Sequence, residues 1–297
     1  SIQNGRMLQM VKRFAALVAL LASVVGCNTL DIKGLFVPTS DLIGTRFEQS
    51  MAKNGNRAVA SIAAEEEYLF YVCTDPHIAD TAHNLTIFND ALRNDSEALF
   101  GLVLGDLSDR RGNHPRYVEA IAFNSEKHAY NHPVFNVLGN HDLYFDGWEK
   151  YLELVAPSVY WFDVEFAGGK DLFLVLDSAT GTLGREQTQW MKGFLAEHRH
   201  KYRHCIISKH TNLFYADTSQ NTSGNMPIEE CVALMDLWSE YDVTLVLQGH
   251  DHTREDLTYG GVRYTIVGTL RDGCKAPEYL KITVGPNGVD FAWVVLN

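Results

Sequence analysis

From Tyr68 onward, short apolar runs alternate with amphipathic stretches, and the runs stop abruptly on polar residues, often beside a glycine. Residues 69–73, 99–104, 134–138, 171–177, 205–208 and 243–247 have the length and composition of buried strands. Between them, 86–93, 117–130, 185–198 and 228–241 carry a helical period. Strands and helices in alternation predict an α/β sandwich. The last stretch, 258–295, reads as successive strands without helices, which predicts a second, largely antiparallel sheet.

The segment before this pattern reads differently. Residues 28–66 show no sustained period, and Pro38, Gly44 and Gly55 interrupt them. One helix over 41–52, capped by Ser40, is expected there. The stretch reads as a tether with a helical arm. That puts the start of the main domain, 67–297, just after a solvated Glu65-Glu66-Glu67 entry. Further back, Lys12 and Arg13 precede an apolar run over 14–25. About twelve apolar residues suit a secretory signal, whereas a spanning helix needs about twenty. The run ends in Val24-Val25-Gly26-Cys27, which resembles the lipobox of bacterial lipoproteins. The resemblance implies a signal peptide over 7–26 and lipidation of Cys27. It also implies a membrane-anchored protein of the bacterial cell envelope, facing the periplasm or the cell surface. Residues 1–6 precede the first methionine and are set aside as an expression scar or a mis-set start.

The chemistry is concentrated just past the strand ends. Asp75-Pro76-His77, Gly105-Asp106-Leu107-Ser108-Asp109, Gly139-Asn140-His141-Asp142, His210 and Gly249-His250-Asp251-His252 each follow an apolar run. In α/β sheets the carboxyl ends of strands converge on one crevice, where ligands bind. Any one of these pieces occurs by chance; the ordered set, each after a strand, is specific. Carboxylate, imidazole and amide donors without thiolate suit Mn, Fe, Co, Ni or Zn. The candidates are too many for one ion and fit two ions sharing a bridge. The five cysteines form no Cys-x-x-Cys pair, which argues against a zinc knuckle or a thioredoxin-like site. Cys73 and Cys205 read as buried apolar residues, and a disulfide among the last four cysteines is left open.

In this order the blocks resemble the calcineurin-like metallophosphoesterases. Their pattern is Asp-x-His, Gly-Asp-x-x-Asp, Gly-Asn-His-Asp, a lone His and Gly-His-x-His. The resemblance implies a four-layer α-β-β-α sandwich of two mixed sheets. It implies two divalent or trivalent metal ions, one held by Asp75, His77, Asp106 and His252. The other would be held by Asp106, Asn140, His210 and His250, with Asp106 bridging. It further implies His141 as general acid, Asp142 as its orienting partner and Asp109 as a support behind the ligands. The reaction implied is phosphoester hydrolysis, mono- or diester, by a hydroxide held between the ions. Two departures stand out. Lys209-His210-Thr211-Asn212 replaces the usual second His and Pro after the lone His. Asp109 stands where the purple acid phosphatase branch has Tyr, which argues against an iron–tyrosinate centre.

The net charge of −12 disfavours general nucleic-acid binding, and with it an extracytoplasmic nuclease, but not a small phosphorylated substrate beside bound cations. A non-catalytic surface-binding lipoprotein on the same fold is the other alternative; it predicts lost ligands, and none is lost. Arg110 and Arg111 read as a solvated loop pair. Tyr144, Phe145 and Trp148 fit the pocket mouth and core packing equally well. His198, His200 and His204 read as a solvated face, and Trp190 with Phe194 as core. The oligomeric state is not legible.

Overall fold

The structure is a computed structural model that describes residues 42–109, 132–144, 146–214 and 226–296. All belong to one compact unit, Val37–Asn297. The expected helix over 117–130, the Ser40 cap, Arg110, Arg111, Phe145 and Cys27 lie outside the described residues.

Among the described residues, twelve strands form two mixed sheets. The strands are β1 (Ser61–Ala63), β2 (Tyr68–Cys73), β3 (Ala98–Val103), β4 (Val134–Asn136), β5 (Tyr160–Phe166) and β6 (Gly169–Val175). They continue with β7 (Cys205–Ser208), β8 (Leu245–Gln248), β9 (Glu255–Tyr259), β10 (Val262–Ile266), β11 (Glu278–Gly285) and β12 (Gly288–Val295). The 7-stranded sheet has the order β1-β5-β6-β7-β8-β10-β9, and the 5-stranded sheet the order β12-β11-β2-β3-β4. The helices are α1 (Ile43–Asn54), α2 (His83–Asn94), α3 (Gly147–Leu154), α4 (Arg185–His198) and α5 (Ile228–Glu240).

The two-residue alternation of strand side chains sorts the core into layers. On β2, Phe70 and Val72 face the other sheet, while Tyr71 and Cys73 face helices. On β6, Phe173 and Val175 face inward and Leu172 and Leu174 outward. Between the sheets, Phe70, Phe100, Phe162 and Phe173 pack at centroid distances of 4.8–5.3 Å, stacked or edge-on. Side chains of α4 and α5 cover the outer face of the 7-stranded sheet, and those of α2 and α3 that of the 5-stranded sheet. The result is the four-layer α-β-β-α sandwich.

Three expectations change. The stretch 258–295 does not form a sheet of its own. β10 pairs parallel with β8 and antiparallel with β9, extending the 7-stranded sheet, while β11 lies antiparallel between β2 and β12. Local alternation gives a strand its faces but not its partner. His204 is also not on a solvated face. It is buried, with Nδ1 near Thr244 Oγ1 (3.2 Å) and Nε2 near the Gly285 carbonyl (2.8 Å), tying the two sheets together. Third, the residues read as an arm pack into the unit. Arg46 donates to the buried Asp177 carboxylate (2.8 Å), Asn54 donates to the Val159 carbonyl (3.0 Å), and β1 pairs with β5. Gly55 in the left-handed conformation (φ 65°) closes α1, its N–H donating to Met51 O.

Elsewhere the reading of single residues holds. Glu65, Glu66 and Glu67 are exposed, Cys73 and Cys205 are buried, and Phe194 is buried against Trp190 (5.3 Å). Cys73, Cys205, Cys231 and Cys274 are free thiols. The sequence reading missed β1, α3 and β5. The available signal for β5 was its alternation, Phe162, Val164 and Phe166 with Asp163 and Glu165 between them, together with its aromatic content between Pro157 and Gly168.

Candidate metal centre

The site is built where strand ladders run on into their loops. Beyond β2 and β3, Asp75 N–H donates to Gly105 O (3.1 Å), His77 N–H to Asp106 O (3.0 Å) and Asp109 N–H to Ile78 O (3.1 Å). Beyond β7 and β8, Gly249 N–H donates to His210 O (2.9 Å). Cross-links then join the two sheets. His250 N–H donates to Asp75 Oδ2 (2.9 Å), Thr269 Oγ1 to Asp75 O (2.9 Å), Leu270 N–H to Thr74 O (2.9 Å), and His210 Nδ1 to Leu104 O (2.7 Å).

Asp75, His77, Asp106, His250 and His252 all have φ between 44° and 71°. Non-glycine residues seldom adopt this region, at a cost of about 1–3 kcal/mol each, and such residues cluster at functional sites. The glycines make the close approach possible. A Cβ on Gly139 would lie 2.1 Å from Asp106 N, and one on Gly249 2.1 Å from Thr74 Oγ1.

Two groups of donors converge, each with its atoms within 4.8 Å of one another: Asp75, His77 and His252; and Asp106, His210 and His250. In the first, Asp75 Oδ1 faces His252 Nε2 (3.2 Å) and His77 Nε2 (3.6 Å), and the two imidazole nitrogens are 3.0 Å apart. In the second, His210 Nε2 lies 3.3 Å from Asp106 Oδ1 and 3.1 Å from Asn140 Oδ1. Asp106 also faces the first group, its Oδ2 being 3.8 Å from His77 Nε2. Asp109 Oδ1 stands behind His77, 3.8 Å from Nδ1.

Electrostatics match this crowding. Burial works against an ionised Asp75, but His252, His77 and His210 outweigh it and hold the carboxyl well below its usual range. Asp106 is lowered in the same way, burial being overcome by His210, His141 and His77. His210 is raised to about 9, the Asp106 charge overcoming burial, whereas burial and His210 push His250 down to about 4.

These donors fit cations. Asp75 Oδ1 is buried without a hydrogen-bond partner of good geometry, and the Nε2 atoms of His77 and His252 converge on it. Carboxylate oxygen, amide oxygen and imidazole nitrogen are ligands for divalent transition metals. His210 donates Nδ1–H to a backbone carbonyl, which presents Nε2 as the ligand atom.

His141 sits at the rim, its side chain 28% exposed. Its N–H donates to Asp106 Oδ1 (2.8 Å) and its Nε2 is 3.9 Å from Asp106 Oδ2. Its Nδ1 is held by the Asp109 carbonyl and its ring packs on Tyr144 (4.7 Å). Asp142, expected as its orienting partner, instead accepts the N–H groups of Ser108 (3.0 Å) and Gly139 (2.9 Å) and is fully buried. Through these two bonds its carboxylate braces the loops that carry Asp106 and Asn140. Burial, then the Asp106 charge, raise Asp142 to about 7 against those two N–H groups. His77, Asp109 and His141 form a third donor group.

Tyr144 accepts from Asn140 Nδ2 (3.2 Å), placing it at the site, whereas Trp148 donates to Gln49 (2.6 Å) and packs on Tyr151. Lys209 is fully buried, turned to Thr211 O and Met226 Sδ, and lowered by burial to about 7. Ser178 Oγ accepts from His210 N (3.1 Å) and Thr211 N (3.0 Å), fixing the segment that departs from the usual pattern. The sequence reading missed three supporting residues, Thr74, Thr269 and Arg271, the last with Nη2 3.3 Å from Asp109 Oδ1. Only Thr74, adjacent to Asp75, carried a signal.

Residues 68–254 match the calcineurin-like phosphoesterase family model. No curated protein matches the chain. Similar solved structures include GAP50, the anchor in the inner membrane complex of Plasmodium, with 15% identity over 78% of this chain and 85% of that one, TM-score 0.59. A dimetal phosphatase from Danio rerio shares 14% identity over 77% of this chain and 99% of its own (TM-score 0.53). Purple acid phosphatase PPD1 from yellow lupin shares 14% over 78% and 52% (TM-score 0.55). At these identities the structures share the fold, and the family match carries the activity. The chain belongs to the calcineurin-like phosphoesterase family and is a metal-dependent phosphoester hydrolase.

Proposed function

We propose that this chain hydrolyses a small phosphorylated compound, mono- or diester, at a binuclear metal centre, with His141 as general acid. The observation that carries the reading is the pair of donor groups with the Asp106 carboxylate facing both. Asp75, His77, Asp106 and His252 would hold one ion; Asp106, Asn140, His210 and His250 the other. The donor set suits Mn, Fe, Zn, Co or Ni. Two such ions, when bound, polarise phosphoryl oxygens and acidify water. The chain supplies the proton. With Nδ1 committed to the Asp109 carbonyl, the His141 imidazolium presents Nε2–H to the leaving oxygen.

The test is a metal-loaded full chain compared with His141→Ala. The variant should keep its metal and lose about 10²–10⁴-fold on alkyl phosphate esters, whose alkoxide needs a proton. The loss on nitrophenyl esters should be much smaller. Equal losses with metal retained would exclude the acid role. Loss of metal would make His141 a ligand, which the third donor group motivates.

The resemblance to GAP50, described as an anchor, favours a second reading: a non-catalytic binding protein on this fold. The full donor set weighs against it, and failure of the metal-loaded wild type to release phosphate from any ester would establish it.

We propose further that Cys27 carries a lipid anchor in a bacterial cell envelope, on the strength of Val24-Val25-Gly26-Cys27. Among the described residues no helix is long and apolar enough to cross a membrane. Buried acyl methylenes contribute about 0.8 kcal/mol each, so two chains hold a protein stably. Cys27→Ser should move the protein from the membrane to the soluble fraction; a variant that still pellets with membranes would end this reading.

A further inference from the structure

Arg271 is a cation fixed at the rim of the site. Its Nη2 lies 3.3 Å from Asp109 Oδ1, and its side chain is 47% exposed. Its backbone is pinned on both sides: the N–H donates to Thr269 Oγ1 (3.1 Å) and the carbonyl accepts from Asn84 Nδ2 (3.1 Å). Thr269 in turn donates to Asp75 O, so the loop is tied to a candidate ligand. The next residue, Asp272, caps α2 by accepting the N–H groups of His83 and Asn84 (2.8 Å each). The loop fixes the Arg271 backbone, and the Asp109 contact holds one arm of its guanidinium.

Asp109 shows which side of the site that is. Its backbone carbonyl holds His141 Nδ1 and its carboxylate holds Arg271. The His77 ring meets His141 edge-on at 4.7 Å, with Asp109 behind it. Arg271 therefore shares Asp109 with His141, the proposed general acid, and lies beyond the His77 nitrogen opposite the one that faces Asp75 and Asp106. A guanidinium has five donors in a fork that matches phosphate or carboxylate oxygens, and the Asp109 contact engages only part of it. In a chain of net charge −12, a half-exposed guanidinium at this rim favours an anionic group on the departing half of the substrate.

We infer that Arg271 is a specificity-determining residue that binds a second phosphate on the leaving group, so that the preferred substrates are bisphosphorylated compounds. This rests on the hydrolase reading above. In the reaction the ester P–O bond breaks and water oxygen forms the new bond to phosphorus. The leaving oxygen takes the His141 proton, and a proton from water replaces it. The products are inorganic phosphate and a phosphate-bearing alcohol.

The test uses the Mn-loaded full chain and three matched substrates: 3-hydroxypropyl phosphate, propane-1,3-diyl bisphosphate and 3-phosphooxypropanoate. Phosphate release gives kcat and KM for wild type, Arg271→Gln and Arg271→Lys, with metal content measured on each preparation. Wild type should favour the bisphosphate over the plain monoester by about 10- to 100-fold in kcat/KM, the size expected of charged hydrogen bonds. Arg271→Gln should bring that ratio close to one, chiefly through KM, and Arg271→Lys should restore part of it. A ratio unchanged by Arg271→Gln overturns the inference, as does an equal loss on all three substrates, which would mean that Arg271 only braces Asp109. A preference for the carboxylate substrate that vanishes in Arg271→Gln overturns the phosphate assignment. No phosphate release from any substrate by wild type overturns the hydrolase reading itself, and this one with it.

Discussion

The space between the sheets and the innermost part of the carboxyl edge of the same sheets are both dry but built from opposite materials. Phe70, Phe100 and Phe162 are 0% exposed in the first; Asp75 and His210 are 0% exposed in the second. Burying a phenylalanine side chain stabilises a fold by about 1.5–3 kcal/mol. Burying a carboxylate costs stability unless a charge or donors meet it. The aromatic layer needs no special backbone, whereas five donor residues at the edge take the left-handed conformation. One region accumulates stability and the other consumes it for a fixed arrangement of donors. A cation that meets those donors should return part of the deficit.

The largest effect that tests this division is in the aromatic layer. Phe100→Ala should cost about 3–5 kcal/mol in urea unfolding while leaving metal content and activity per folded molecule unchanged. If metal binding falls in protein that remains folded, the two regions are not separable. A smaller effect sharpens the other half. Metal added at 100 times its dissociation constant should raise stability by about 2.7 kcal/mol, read as an upward shift in Tm. Phe100→Ala should show the same increment from its lower starting point. An increment absent from wild type would mean that the edge does not bind the ion in the native state.

The same contrast explains what the sequence disclosed. The donors were legible because each follows a strand end, and a sheet delivers such positions to one edge whatever the rest of the chain does. The strands β2, β6 and β7 were legible as short apolar runs for a similar reason. What was not legible depends on distant partners. Arg46 is buried against Asp177, 131 residues away, and also reaches Thr180. The strands of the last third read alike, yet β9 and β10 join one sheet and β11 and β12 the other. His204 looks solvated beside His198 and His200 until Gly285 is placed against it. At the site, the Asp142 side chain accepts two backbone N–H groups, and Arg271 approaches from a loop with no motif.

The central claim is that Asp106 serves two ions at once, and metal content tests it most directly. Elemental analysis of purified wild-type chain should give about two ions per molecule. Asp106→Asn, confirmed as folded by circular dichroism, should give less than half the wild-type content, because one change weakens both sites. A folded Asp106→Asn chain with wild-type metal content would contradict the account.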